Sequence, residues 1–97
     1  MSKMRRRLPA FRSTSADPGF CARLFGDHIR HCRCLDGRPI EELAPMAGLS
    51  PAEWEAIEAG HAPCTVEQVL MLASVLRLGD SWLKVLLRLC ARANQMP

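Results

Sequence analysis

The chain has 97 residues, which allows one domain with a single core and excludes a two-domain enzyme. It carries 13 Lys and Arg against 10 Asp and Glu, and hydrophobic residues make up 48%, so the composition speaks against wholesale disorder. The longest apolar run, Val69 to Ala73, is far too short to cross a bilayer, and no secretory signal is visible. We therefore expect a cytoplasmic protein with no membrane partner.

Charge is unevenly distributed along the chain. Residues 1–24 carry six basic side chains and one acidic side chain, whereas residues 39–76 carry six Glu and no Lys or Arg. The first 18 residues also lack an apolar period and lead into a Pro-Gly pair, which predicts a flexible basic arm over residues 1–18 and a helical domain over residues 19–97. Any polyanion must then be held mainly by the flanks.

The first predicted helix precedes the acidic stretch, and the second helix opens it. Apolar residues spaced by three and four from Phe20 onward predict the first helix, which Asp36-Gly37 ends. The second opens at Pro39 and stops at Gly48. Pro45 lies inside it and lacks the N–H for a backbone hydrogen bond, so this helix should be short and distorted.

The third helix has the best-marked start in the sequence. Ser50 is placed as its N-cap, Pro51 as its first residue, and Glu53 as the capping-box carboxylate that reaches back to the cap. Trp54 and Ile57 are predicted to face inward. Gly60 should end the helix after about ten residues.

Two further helices follow. The fourth starts at Thr65 with Gln68 as its capping-box partner and ends before Gly79, and the fifth begins at Asp80 or Ser81. Together they are richer in apolar residues than one core face requires, which suggests a second buried surface. A homodimer contact is the economical explanation, and its predicted residues are Trp82, Leu83, Leu86, Leu87 and Cys90. The alternative is that the arm or the first helix covers this surface within one chain.

Several motifs occur in register between about residues 24 and 80. They are FGDHIR from Phe25 to Arg30, Arg33, Gly37, EELAPMAGLS from Glu41 to Ser50, WEAIEAG from Trp54 to Gly60, and TVEQVLMLASVLRL from Thr65. This pattern resembles the lambda-repressor-like helix-turn-helix family, also called Cro/cI or XRE. The resemblance implies an all-α, five-helix bundle and a DNA-binding transcriptional regulator of bacterial or phage origin that acts as a dimer on duplex DNA. It also implies a structural ion pair between Arg33 and Glu58.

In such a protein the third helix enters the major groove of DNA. The resemblance makes its outward residues the base-facing ones, namely Pro51, Ala52, Glu53, Glu55 and Ala56. The candidate phosphate contacts are Arg5, Arg6, Arg7, Arg12, Arg38 and His61, with Arg23 and Arg30 of the first helix as further cations. Glu can accept a hydrogen bond from a cytosine amino group and Ala can touch a thymine methyl, but carboxylates repel phosphates unless they are paired or capped. The alternative is therefore a degenerate helix-turn-helix scaffold that binds a protein partner instead of DNA.

Other chemistry is weakly indicated. His28 and Cys32 are four residues apart on one helix face, a spacing that can ligate zinc, but Cys32 also occupies an inward position, so we expect no metal. The five cysteines are expected to be reduced, several of them as small apolar core residues, with a redox switch through Cys34 or Cys64 as an open alternative. No glycine-rich phosphate loop or catalytic constellation is visible, so we expect no enzyme, no cofactor and no small-molecule substrate.

Overall fold

A computed structural model describes residues 18–62 and 64–94. These residues form five helices and no strand. The helices are α1 (Pro18–Asp36), α2 (Ile40–Met46), α3 (Pro51–Glu58), α4 (Val66–Val75) and α5 (Asp80–Ala93). The all-helical class is thus confirmed for this part of the chain, where no helix is long and apolar enough to span a bilayer. The first helix begins at Pro18, two residues before the predicted start, and the rest of the predicted arm lies outside the described residues.

Both predicted capping boxes are present. The Ser50 hydroxyl accepts a hydrogen bond from the Glu53 N–H at 3.1 Å, and the Glu53 carboxylate accepts one from the Ser50 N–H at 2.8 Å. Thr65 and Gln68 make the same reciprocal pair at the start of α4, at 3.1 and 2.9 Å. Each box satisfies two backbone donors that the first helical turn leaves without a partner.

A tight turn joins α2 to α3. With Pro45 inside it, α2 spans only seven residues, as predicted. Gly48 takes a positive φ of 74°, which lets the chain reverse, and the N–H of Leu49 donates to the Ala44 carbonyl at 2.9 Å. Leu49 is buried, so the turn is fixed to the core by an apolar side chain as well as by hydrogen bonds.

The core draws on all five helices, with α1 as the central one. α1 packs against α3 and against α5, while α2 packs on α3 and α4 packs on α5. The largest fully buried side chains include Ile29 of α1, Leu43 of α2, Trp54 of α3, Leu72 of α4 and Leu86 of α5. α3 and α5 therefore depend on the same helix for their positions.

The burial of α5 corrects the predicted dimer surface. Leu86 and Cys90 are 0% and 2% exposed, so the prediction that they face a second copy was wrong. Leu83 and Leu87 are partly buried against the core, and Trp82, at 36% exposure, is the only residue of that set that is exposed. The physical reason is that α1 covers much of the apolar side of α5. This is the alternative raised from the sequence, in which the first helix covers that surface within one chain.

Glycine at position 26 allows α1 and α3 to approach closely. A Cβ atom at this position would lie 2.5 Å from the carbonyl oxygen of Glu58, and the carbonyl oxygen of Ile57 is also in contact. Both neighbours are backbone atoms, so neither can rotate away. The helix pair can keep this spacing only with a residue that has no side chain.

We predict that Gly26→Ala lowers the free energy of unfolding by about 1–3 kcal/mol, because α1 and α3 must move apart to accept the new methyl group. Urea denaturation followed by circular dichroism measures the change. Gly79→Ala is the matched control, since a Cβ there meets open space, and its effect should stay below about 1 kcal/mol. Equal effects of the two substitutions would contradict the close approach.

Candidate nucleic-acid interface

The helix α3 has one side in the core and one side facing outward. Trp54 and Ile57 are 0% and 3% exposed and anchor the inner side. On the outer side the predicted base-facing residues Ala52, Glu53 and Glu55 are exposed, while Pro51 and Ala56 are half-buried. Among residues 18–62 and 64–94, no contact buries Ala52, Glu53 or Glu55 on the outer side of α3.

Glu58, at the last residue of α3, receives three hydrogen bonds. The Arg33 guanidinium donates from Nε to Oε2 at 2.6 Å and from a terminal nitrogen to Oε1 at 2.9 Å, which is a bidentate pair. The indole Nε1 of Trp54 donates to Oε2 at 2.7 Å. The ion pair between Arg33 and Glu58 is thus present, and it links α1 to α3. The bond from Trp54 was not anticipated, although the spacing of four residues between two inward positions on one helix is a signal for it.

Burial makes this carboxylate important to the position of α3. Glu58 is 8% exposed, and the hydrogen bonds from Arg33 satisfy its charge, while the same contact raises the pKa of Arg33. A buried carboxylate that loses its cation is left with an uncompensated charge, so breaking one side costs about 3 kcal/mol even where the net contribution of the pair is small. The pair therefore holds the end of α3 against α1.

The other two carboxylates of α3 are in different environments. Glu53 is engaged in the capping box with Ser50, so its charge lies at the positive end of the helix dipole. Glu55 is exposed, and no hydrogen bond or ion pair engages it within the described ranges. Glu55 is therefore the one carboxylate of α3 without a structural use, as the sequence had indicated.

Within the part of the chain that the structure describes, α1 contributes cations beside α3. Arg30, Arg33, Glu55, Glu58 and Ala59 line a groove between the two helices. Arg30 is 56% exposed and pairs loosely with Asp27 at 3.2 Å. At the other end, the backbone and side chain of Arg23 lie against Gly60, just after α3 ends. Arg23 and Arg30 thus flank the C-terminal half of α3.

Arg38 has a structural use that the sequence did not reveal. Its Nε and one terminal nitrogen donate to the two oxygens of Asp36 at 2.7 and 2.9 Å, and that same terminal nitrogen donates to the Val75 carbonyl at 2.9 Å. These bonds tie the loop after α1 to the end of α4. The prediction of Arg38 as a phosphate contact is corrected accordingly, because its guanidinium is held within the fold.

The remaining phosphate candidates are divided between the two parts of the chain. His61 is exposed in the turn after α3, and its backbone N–H donates to the Ala56 carbonyl at 2.9 Å. Arg5, Arg6, Arg7 and Arg12 lie outside the described residues.

The cysteines are free thiols, and most of them are buried. Cys21, Cys32, Cys64 and Cys90 are buried and Cys34 is exposed. Burial raises the pKa of Cys64 to about 12, which opposes formation of the reactive thiolate. Cys90 donates to the Cys64 carbonyl at 2.9 Å, so this pair closes the end of α5 onto the start of α4.

The histidines on α1 are engaged with an aromatic ring rather than with a metal-ligand group. The rings of His28 and Trp82 are T-shaped with centroids 5.1 Å apart, and the ring of His31 lies 6.5 Å from the same Trp82 ring. Within residues 18–62 and 64–94, no three His, Cys, Asp or Glu side chains come together in a way that could hold a metal ion.

Comparison of the chain with protein-family models, with curated proteins and with solved structures finds no match in any of the three. The lambda-repressor-like resemblance therefore rests on the motif residues.

We predict that Glu58→Gln lowers the free energy of unfolding by about 2–3 kcal/mol, since Arg33 then loses its counter-charge although the new side chain keeps its size. Urea denaturation measures the change. The control is Asp27→Asn, which removes an exposed pair with Arg30 and should cost less than about 0.5 kcal/mol. An effect of Glu58→Gln as small as that of the control would contradict the role given to this pair.

The contact between Asp36 and Arg38 predicts a dependence of stability on pH. The hydrogen bonds from Arg38 lower the pKa of Asp36 from its ordinary 3.8 to about 2. The stabilisation is therefore complete above about pH 4 and is lost as the pH falls toward 2. Asp36→Asn should destabilise the protein most above pH 4, with a difference from the native protein that shrinks below it in urea denaturation. In an Arg38→Gln background this pH dependence should disappear, and its persistence would contradict the assignment.

Proposed function

We propose that this protein is a small DNA-binding transcriptional regulator of the lambda-repressor-like helix-turn-helix class. α2 and α3 form the helix-turn-helix, and the outer side of α3 approaches duplex DNA. The proposal is carried by one observation. α3 is anchored from beneath by Trp54, Ile57 and Glu58, while its capped N-terminal half and its outer side are exposed.

The geometry of α3 supports insertion into a groove. In helix-turn-helix proteins the second helix contacts base edges with the residues of its N-terminal half. Here the outward residues of that half include Pro51 and Ala52, with Glu55 one turn after Pro51, and Ser50 and Glu53 fix the first turn. A thymine methyl suits Ala52, and a cytosine amino group suits the unpaired carboxylate of Glu55.

The charge distribution assigns most of the affinity to the flanks. The described residues carry eight Lys and Arg against nine Asp and Glu, a net charge of −1, whereas residues 1–17 carry +4. Because neutralisation of phosphates supplies essentially all non-specific affinity for DNA, the arm must provide most of it. Arg23 and Arg30 are exposed cations beside the end of α3, whereas Arg33 is engaged by Glu58.

A second candidate function is a helix-turn-helix scaffold that binds a protein partner in place of DNA. Two observations favour it. Glu55 is exposed on the helix that should approach phosphates, and Arg38 is held by Asp36 and Val75 rather than available to a duplex. A basic partner would gain the charge complementarity that DNA lacks at this surface.

A titration with mixed-sequence duplex DNA at two salt concentrations, followed by fluorescence anisotropy, tests the proposal. We predict measurable binding whose affinity falls steeply with salt. Deleting residues 1–12, which removes five basic side chains, should reduce the slope of log K against log salt by about 4–5. Glu55→Lys should raise the affinity several-fold, because a carboxylate facing phosphates becomes a cation.

Glu67→Lys is the matched control for Glu55→Lys. It makes the same change of charge at an exposed position on α4 instead of α3. If the effect is local to α3, Glu55→Lys raises the affinity for DNA more than Glu67→Lys does. Equal increases in affinity would show that only net charge matters. Absence of binding near physiological salt in the native protein and in both variants would exclude the DNA-binding function and favour the protein-binding scaffold.

A further inference from the structure

Two surface pockets lie between α1 and α5. Phe20 and Leu24 of α1 line the first, together with Arg88, Leu89 and Arg92 of α5. The second is lined by His28 of α1 and by Ser81, Trp82 and Val85 of α5. We refer to the two pockets together as the α1–α5 groove, with one pocket at each end.

Helical spacing places the two ends on the same side of the helix pair. Residues 20, 24 and 28 of α1 are four apart, and residues 81, 85, 88 and 92 of α5 are three and four apart, so each set forms one stripe. The stretch from Ser81 to Arg92 covers about three helical turns, or about 17 Å. The groove is therefore long enough to hold three turns of another helix.

The floor of the groove is apolar and partly open to solvent. Trp82 and Val85 are 36% and 38% exposed, and Leu24 and Leu89 are half-buried between the helices. A side chain that enters between α1 and α5 would remove these apolar atoms from water, which is the main source of affinity in helix-in-groove recognition.

The rim of the groove is cationic. Arg88 and Arg92 are exposed, and within the described part of the chain no carboxylate pairs with either of them. Lys84 continues this row of cations at the same spacing of four residues. An occupant that adds carboxylates beside Arg88 and Arg92 therefore gains charge complementarity, whereas a basic occupant is repelled.

We propose that the α1–α5 groove binds an acidic amphipathic helix of a partner protein, with its apolar side chains between Leu24, Val85 and Leu89 and its carboxylates against Arg88 and Arg92. This surface is separate from the outer side of α3, and the inference does not depend on DNA binding there.

Other occupants fit the same surface less well. The chain's own first 17 residues carry five basic side chains against one acidic, so the cationic rim repels them. A two-fold contact through α5 would oppose the row of Lys84, Arg88 and Arg92 with a second copy of itself, with Asp80 as the only carboxylate of α5. A flat lipid surface cannot follow the recessed floor between two helices, and a nucleic acid backbone brings no apolar side chain to it.

The test uses the full chain and a labelled helix-forming peptide of about 15 residues, with Leu on one face and Glu on the flanking positions. Fluorescence anisotropy should show micromolar binding, and emission from Trp82 should change on saturation. A peptide of the same composition, shuffled so that Leu no longer forms a face, should bind at least about tenfold more weakly.

Charge reversal distinguishes recognition from simple loss of folding. The double substitution Arg88→Glu with Arg92→Glu should weaken binding of the acidic peptide at least about tenfold, and a Lys-for-Glu version of the peptide should then bind this variant instead. Val85→Glu should also abolish binding by filling the floor with a charge. Arg77→Glu, which reverses an exposed cation in the turn after α4, should leave the Kd within about twofold.

Several results would overturn the proposal. Equal binding of the amphipathic and shuffled peptides, or an unchanged Kd in the doubly charge-reversed protein, would show that the groove does not recognise an acidic helix. Loss of duplex DNA or phosphatidylserine-vesicle binding in that variant, without peptide binding to the native protein, would assign the cations to another partner. A dimer in sedimentation that Val85→Glu dissociates would make a second copy the occupant.

Discussion

The carboxylate of Glu58 fixes α3 against the rest of the protein. Its two oxygens accept hydrogen bonds from two nitrogens of Arg33 in α1 and from the indole N–H of Trp54 in α3 itself. Since the carboxylate is buried, these donors offset the cost of removing its charge from water. Gly26 extends the same contact by letting α1 reach the backbone of Glu58. The orientation of the outer side of α3 follows from these inner contacts.

The sequence was most informative where a signal is local. The reciprocal caps at Ser50 and Thr65 were predictable because each box involves residues three apart and little else in the fold. The pair between Arg33 and Glu58, which are 25 residues apart, could not have come from spacing. It came from the resemblance, which supplies the long-range information that periodicity lacks.

Predictions failed where long-range packing decides the outcome. The sequence pattern at Leu86 and Cys90 is compatible with either a dimer surface or a core position. Only the position of α1 decides between these interpretations. Arg38 read as a free cation because its acceptor at Val75 lies 37 residues away. The end of α4 shows a related limit. The chain turns at Arg77, with a φ of 57°, and the Leu78 N–H bonds to the Ala73 carbonyl, although Gly79 was the residue that local preference favoured as the stop.

The two surfaces differ in charge and are built on different helices. Gly26 and Arg33 of α1 contact α3, and His28 of α1 contacts Trp82 of α5, while Leu24 lines one pocket toward the end of α3 and another toward α5. The outer side of α3 carries unpaired acidic charge, and the exposed side of α5 carries unpaired basic charge. A single polyanion that spread over the whole molecule would be attracted by the cations of α5 and repelled by the carboxylates of α3. Two distinct partners, one for the outer side of α3 and one for the exposed side of α5, fit this division of charge better than one.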